Sequence, residues 1–288
     1  MDPEHKPILA YGLPGTVALL NRGFADYVVP IEFTEASLLH MVVQDGIDPA
    51  SSHVILDGGQ AVGVALIARR GWTCRLAALV VVPEARRQGI GRWTMDRLIE
   101  EAAQRGEKRM VLEVIEQNEP AVSLYRGGGF RVLRRLVGYK AIPGGGAGLV
   151  PAREVDVREV DVREAARLVT AYGLPDLPWQ VSGESLALMS PPNRAYRLGE
   201  AYVVISNPVS PQIAIRSVVV KPEARGEGLA ARLLRTLMDN HPDAQWVVPA
   251  LCPQEIGGLF ERVGFERREL SQLQMVKRTR TEPSATTS

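Results

Sequence analysis

Along the first half of the chain, the spacing of apolar positions alternates between helical and strand-like. Residues 15–27 and 34–43 carry helical patterns. Strand-like runs follow at 53–56 and 61–68, separated by the turn signal Asp57-Gly58-Gly59. A third run at 75–82 is rich in β-branched residues, which favour a pleated, half-buried surface. Met95, Leu98, Ile99 and Ala102 then fall at i, i+3, i+4 and i+7, the apolar stripe of one helix. Residues 110–115 predict a short strand, 121–126 a short helix and 131–139 another strand. In the second half, Ala230, Leu233, Leu234 and Leu237 reproduce the helical stripe. Hairpins first, with helices between the later strands, predict a mixed α/β sheet.

The stripe recurs because the chain repeats itself. Pro83-Glu84-Ala85-Arg86-Arg87-Gln88-Gly89-Ile90-Gly91 returns as Pro222-Glu223-Ala224-Arg225-Gly226-Glu227-Gly228-Leu229-Ala230, at an offset of 139 residues. Leu124-Tyr125-Arg126-Gly127-Gly128-Gly129-Phe130 is echoed by Leu259-Phe260-Glu261-Arg262-Val263-Gly264-Phe265, at an offset of 135. A period this long is a duplicated domain rather than a solenoid unit. In 288 residues there is room for about two domains of ~150 residues. The glycine run Gly144-Gly145-Gly146 marks a boundary. The expected division is a first domain at 1–141, a linker at 142–152, a second domain at 153–278 and a disordered tail at 279–288.

Charge narrows the function classes. Lys and Arg number 34 against 33 Asp and Glu, a net charge of +1, which argues against a protein that coats nucleic acid or an anionic membrane. No apolar run approaches the ~20 residues of a spanning helix. The polar start leads into no signal-peptide core. Two cysteines, Cys74 and Cys252, make no disulfide framework, and no Cys/His cluster suggests zinc. The expectation is a cytoplasmic protein without metal, nucleic-acid or membrane partners, its oligomeric state open. His40 and His53 read as lone surface or packing histidines, and Cys74 as structural.

The most chemical element is the junction from Leu79 to Arg92. A strand ends at Pro83, a loop carries Arg86 and Arg87, and Gly89 and Gly91 open a helix that also bears Arg92. Backbone N–H groups at a helix N-terminus bind anions, and glycines let a phosphate approach them closely. The arginines add charge-assisted donors. An ordinary tight turn with a solvated charge run is the competing reading. The Gly-Lys-Ser/Thr ending of a Walker loop is absent, and the second copy's Gly226-Glu227-Gly228-Leu229-Ala230-Ala231 matches a dinucleotide fingerprint only formally.

Two motifs carry a family resemblance. Arg86-x-x-Gly89-x-Gly91, its copy Arg225-x-x-Gly228-x-Ala230, and Asn118-x-x-Ala121-x-x-Leu124-Tyr125-x-x-x-Gly129-Phe130 resemble those of the GCN5-related N-acetyltransferase (GNAT) superfamily. The resemblance covers nearly the whole chain as a tandem of two such acyl-CoA acyltransferase folds. It implies acetyl-CoA as co-substrate and a primary amine, free or in a peptide N-terminus or lysine, as acceptor. It implies that the backbone of Leu79, Val80 and Val81 binds the pantetheine arm. The loop of Arg87, Gln88, Gly89, Ile90, Gly91 and Arg92 would take the pyrophosphate, Arg86 at its start would also bind the cofactor, and Asn118 would contact the pantetheine. Tyr125 would protonate the departing thiolate.

Glu113 stands out in its own right: it sits in a strand apolar on both faces, where an unpaired carboxylate is costly and its pKa rises. Leu112-Glu113-Val114, five residues before Asn118, resembles ribosomal-protein N-terminal acetyltransferases, where the glutamate is the base. Competing readings are a strand-end glutamate reaching solvent for Glu113, a packing aromatic for Tyr125 and a helix cap for Asn118.

The two copies differ where the chemistry would be. Counted back from Phe260, the positions of Tyr125, Asn118 and Glu113 are held by Phe260, Pro253 and Val248. Gly226-Glu227 replaces Arg87-Gln88, and a glutamate beside a pyrophosphate repels it. The expected function is an amine acetyltransferase working through the first domain, with the second a degenerate copy. The alternative is a non-catalytic acyl-CoA-binding module built from two such domains.

Overall fold

The computed structural model describes residues 3–142 and 156–279. The expected linker and tail, apart from Ile142 and Thr279, lie outside the described residues. The first half runs β1 (Pro3–Pro7), α1 (Ile8–Tyr11), α2 (Leu13–Phe24), α3 (Glu35–Gln44), β2 (His53–Asp57), β3 (Gln60–Arg70), β4 (Thr73–Val81), α4 (Ile90–Gln104), β5 (Arg109–Ile115) and α5 (Glu119–Gly127). The second runs β6 (Arg131–Ala141), β7 (Arg158–Val160), α6 (Val162–Tyr172), α7 (Gly183–Ala187), β8 (Arg194–Leu198), β9 (Ala201–Ile205), β10 (Gln212–Val220), α8 (Leu229–Asn240), β11 (Gln245–Pro253), α9 (Gly258–Arg262) and β12 (Phe265–Arg278). This is the mixed α/β architecture the periodicity predicts.

The described residues form two compact units, one of residues 3–133 with 273–279 and one of 134–142 with 156–272. In the first, the strand order is β1-β2-β3-β4-β5 followed by the end of β12. In the second it is β6-β11-β10-β9-β8-β7. The strand after Phe130 thus belongs mostly to the second unit, and the last residues of β12 belong to the first. Thr279 closes the first unit by hydrogen bonds from its N–H to the Lys108 carbonyl (3.1 Å) and from its hydroxyl to that of Glu107.

Local sequence explains the helix starts. Thr34 caps α3 in a reciprocal capping box with Ser37, and Asp161 caps α6 by accepting from the Arg163 N–H. The α4 stripe is buried as expected at Met95, Leu98 and Ala102. The α8 stripe buries Leu233, Leu234 and Leu237 with Trp246, Phe260 and Phe265. β1, with proline at both ends, carries no apolar pattern and pairs antiparallel with β2 through its backbone.

The decisive feature is an opening in each sheet. β4 and β5 pair in parallel only at Thr73↔Arg109, Cys74↔Met110 and Arg75↔Val111. A bulge at Ala77 shifts the β3–β4 register just where β4 leaves β5. The second unit repeats the device: β10 and β11 pair only from Gln212↔Gln245 to Ala214↔Val247, and the bulged residue is Arg216. Past these points both strands carry unpaired backbone groups on facing edges.

Candidate active site

The first unit's opening holds a cavity of about 450 Å³. Its walls are the free edge of β4 at Leu79, Val80 and Val81, the loop and helix start at Arg86, Arg87, Gly89, Ile90 and Gly91, and Asn118, Leu124 and Tyr125 around α5. The C-terminal end of α2, with Phe24 and Tyr27, covers it. Gly23 permits that closeness, since a Cβ there would lie 2.5 Å from Val80 Cβ. Ten of the expected residues therefore share one cavity. Gln88, Arg92 and Glu113 are not among its walls.

At the loop, Arg87 and Gly89 adopt the left-handed region, with φ of 63° and 83°. Gly89 caps α4 without a side-chain acceptor, and the first backbone bond back into the helix runs from the Trp93 N–H to the Gly89 carbonyl. The N–H groups of the first turn consequently have no intrahelical acceptor, the arrangement that binds anions.

The three arginines separate into distinct roles. Arg86 is consumed inside the protein: Nη2 reaches the Gly23 carbonyl (2.9 Å) and Asp26 (2.8 Å), Nη1 meets Asp26 at 2.5 Å, and Nε meets the Val81 carbonyl at 2.9 Å. It clamps the end of β4 to α2 instead of presenting a free cation to the cavity. Arg225 does the same in the second unit, with the Val220 carbonyl at 3.1 Å and the Tyr172 carbonyl at 2.7 Å. Arg92 donates to Asp96 (2.9 Å) and to the Gly127 carbonyl (2.7 Å). Gln88 donates to the Glu84 carbonyl at 3.2 Å. Arg87 is the exposed guanidinium in the cavity wall.

Asn118 is a helix cap, accepting from the Ala121 N–H at 3.3 Å, and it also hydrogen-bonds Tyr27. Tyr27, like Phe24, lines the cavity but lies far from either motif, so neither motif points to it. Tyr125 is buried, its ring 6.1 Å from that of Phe130. Burial, and secondarily Tyr27, push its pKa well above that of an ordinary tyrosine.

Glu113 corrects the expectation of an unpaired carboxylate. Its Oε2 meets Arg75 Nε at 2.7 Å, with 2% and 5% of the two side chains exposed. Asp45 of the α3 end is drawn into the same field: burial raises its pKa, while Arg75, Arg70 and His40 pull against that. The second unit loses both partners together. By strand register Ala214 stands where Arg75 does, and Val248 or Pro249 where Glu113 does, depending on whether one counts from Phe260 or from the β10–β11 pairing. Cys74 is buried, its thiol pKa pushed far up by burial. His53 is not a lone residue: it pairs with Glu101 and packs on His5.

The second unit's opening is larger, about 680 Å³, and mostly apolar, with Phe260, Val248 and Pro253 in its walls beside Arg216, Arg225 and Arg262.

Residues 21–130, which include the whole of this site, match the model of the acetyltransferase (GNAT) family. No curated protein matches the chain. Among solved structures, a tandem GNAT protein from the clavulanic acid biosynthesis pathway is similar over 98% of this chain and 100% of its own, with a TM-score of 0.65 and 19% identity. A GCN5-related N-acetyltransferase from Sphaerobacter thermophilus is similar over 99% and 98%, with a TM-score of 0.68 and 16% identity. One from Kribbella flavida is similar over 96% and 71%, with a TM-score of 0.64 and 19% identity. The chain has the tandem GNAT fold.

Proposed function

We propose that the first unit transfers the acetyl group of acetyl-CoA to a primary amine, and that the second unit is not catalytic. What carries the reading is one cavity lined by an open strand edge, an anion-binding helix start and a protonated tyrosine. The pyrophosphate sits on the N–H groups of residues 89–92 with Arg87 beside it, and the pantetheine amides pair with the free edge at Leu79–Val81. The amine nitrogen attacks the thioester carbonyl, the C–S bond breaks, and the thiolate takes the Tyr125 proton. The amine proton leaves through water to Glu113, whose burial keeps it from touching the amine directly. The second unit keeps the opening and the arginine clamp but lacks the tyrosine, the capping asparagine and the ion pair.

The reading is tested by incubating the full chain with acetyl-CoA and a panel of free amines, peptide N-termini and lysine peptides, following thiol release. Amine-dependent thiol release supports it. Stoichiometric acetyl-CoA binding without turnover on any amine replaces it with a binding module.

A further inference from the structure

Away from the cavity, three metal-ligating side chains of the first unit converge where β1, β2 and α4 meet. His5 lies on β1 opposite Ile55, and His53 opens β2 opposite Pro7. Glu101 comes from α4. One carboxylate serves both imidazoles: His5 Nε2 is 3.1 Å from Glu101 Oε1, and His53 Nε2 is 2.9 Å from Oε2. The two rings stand edge to face with centroids 4.4 Å apart, and one ligand atom from each residue lies within 4.8 Å of the others. The His53, Glu101 and His5 side chains are 8%, 18% and 25% exposed, a site largely withdrawn from water yet open on the His5 side. The other ring nitrogen of His53, Nδ1, is buried without a partner.

We propose that His5, His53 and Glu101 bind one divalent transition-metal ion of the zinc class, through both Nε2 atoms and a carboxylate oxygen, with water in the fourth position. Zinc held tetrahedrally at ~2.0–2.1 Å places its ligand atoms about 3.3 Å apart. The two imidazole–carboxylate separations, each to its own oxygen, are close to that, and all three ligand atoms already lie within 4.8 Å of one another. Opposing the ion are Arg105, 3.5 Å from Glu101 Oε2, and Arg97, which acts on His5. The bound ion would tie the proline-flanked edge strand β1 to α4, the helix whose other end forms the anion site.

The test uses the full chain, stripped with a chelator and titrated with zinc chloride by calorimetry. One equivalent is expected to bind, and Glu101→Gln and His5→Gln each to raise the dissociation constant at least tenfold. His5→Gln, at the most exposed ligand, keeps the test decisive if Glu101→Gln fails to fold. Trp93 lies 6.0 Å from the His5 ring, so nickel or copper(II) should quench its emission, and Trp93→Phe should abolish that quenching while zinc still binds. The absence of stoichiometric zinc binding, or an unchanged affinity in His5→Gln, overturns the proposal.

Discussion

The Arg75–Glu113 pair can be weighed by replacing its members singly and together. Both side chains are almost wholly buried, and Arg75 Nη1 has no hydrogen-bond partner, so Glu113 is the guanidinium's closest compensation. Removing one member of such a pair strands a buried charge, at a cost of about 3–5 kcal/mol. Replacing both by apolar groups of similar volume is often close to neutral. Glu113→Leu and Arg75→Met should therefore each lower the stability of the first unit by about 3–5 kcal/mol, or roughly 6–20 °C in Tm for a unit of this size. The double variant should recover to within about 2 kcal/mol of the parent, a coupling of several kcal/mol. Urea and thermal unfolding monitored by far-UV circular dichroism would measure the cycle. Single variants that cost under about 1 kcal/mol, or effects additive to within about 0.5 kcal/mol, would refute the pairing argument. Glu113→Gln assayed for turnover then addresses the proton role separately.

Other consequences follow from the same geometry. Tyr125→Phe should lower kcat by about 10²–10⁴-fold while leaving acetyl-CoA affinity nearly unchanged, as measured by steady-state thiol release and calorimetry. Because burial holds the Tyr125 pKa up, its proton is retained through neutral and alkaline pH; a kcat profile falling with a pKa below about 10 that Tyr125→Phe removes would contradict the assignment. Arg87→Glu should weaken coenzyme A binding by roughly 10–100-fold, the worth of one charge-assisted hydrogen bond, without loss of stability. Arg86→Ala should instead lower the thermal stability, since that side chain holds α2 to β4. Burial raises the Glu107 carboxyl pKa, but hydrogen bonds from Arg105 and Arg69 outweigh it and hold the pKa below the usual carboxylate range. Its stabilisation is present above that range and lost as pH falls through the lowered pKa, so Glu107→Gln should flatten the acid limb of a stability–pH curve.

Much of this architecture was legible in the sequence because it depends on short-range pattern. The α4 stripe, the hairpin of β2 and β3, and the strand–loop–helix junction each announce themselves within about a dozen residues. The repeat made the second unit readable by comparison with the first. What stayed hidden depends on partners distant along the chain. A guanidinium after a strand reads as an anion ligand, and only the fold brings Asp26 and Gly23 to Arg86 and so removes it from that role. Glu113 reads as unpaired until β4 lays Arg75 beside it. Tyr27 carries no motif, and His53 reads as solitary because His5 and Glu101 come from a strand and a helix remote in sequence. The unit boundaries were obscured for a related reason: nothing in the local pattern of β6 or β12 says which unit each completes.

The proposed chemistry requires that acetyl-CoA be bound and used in the first unit, and a crystal structure of the full chain with acetyl-CoA would show whether it is. The pyrophosphate should lie against the backbone of residues 89–92, and the thioester sulfur within hydrogen-bonding reach of the Tyr125 hydroxyl. Acetyl-CoA bound solely in the second unit's opening, or with its thioester far from Tyr125, would contradict it.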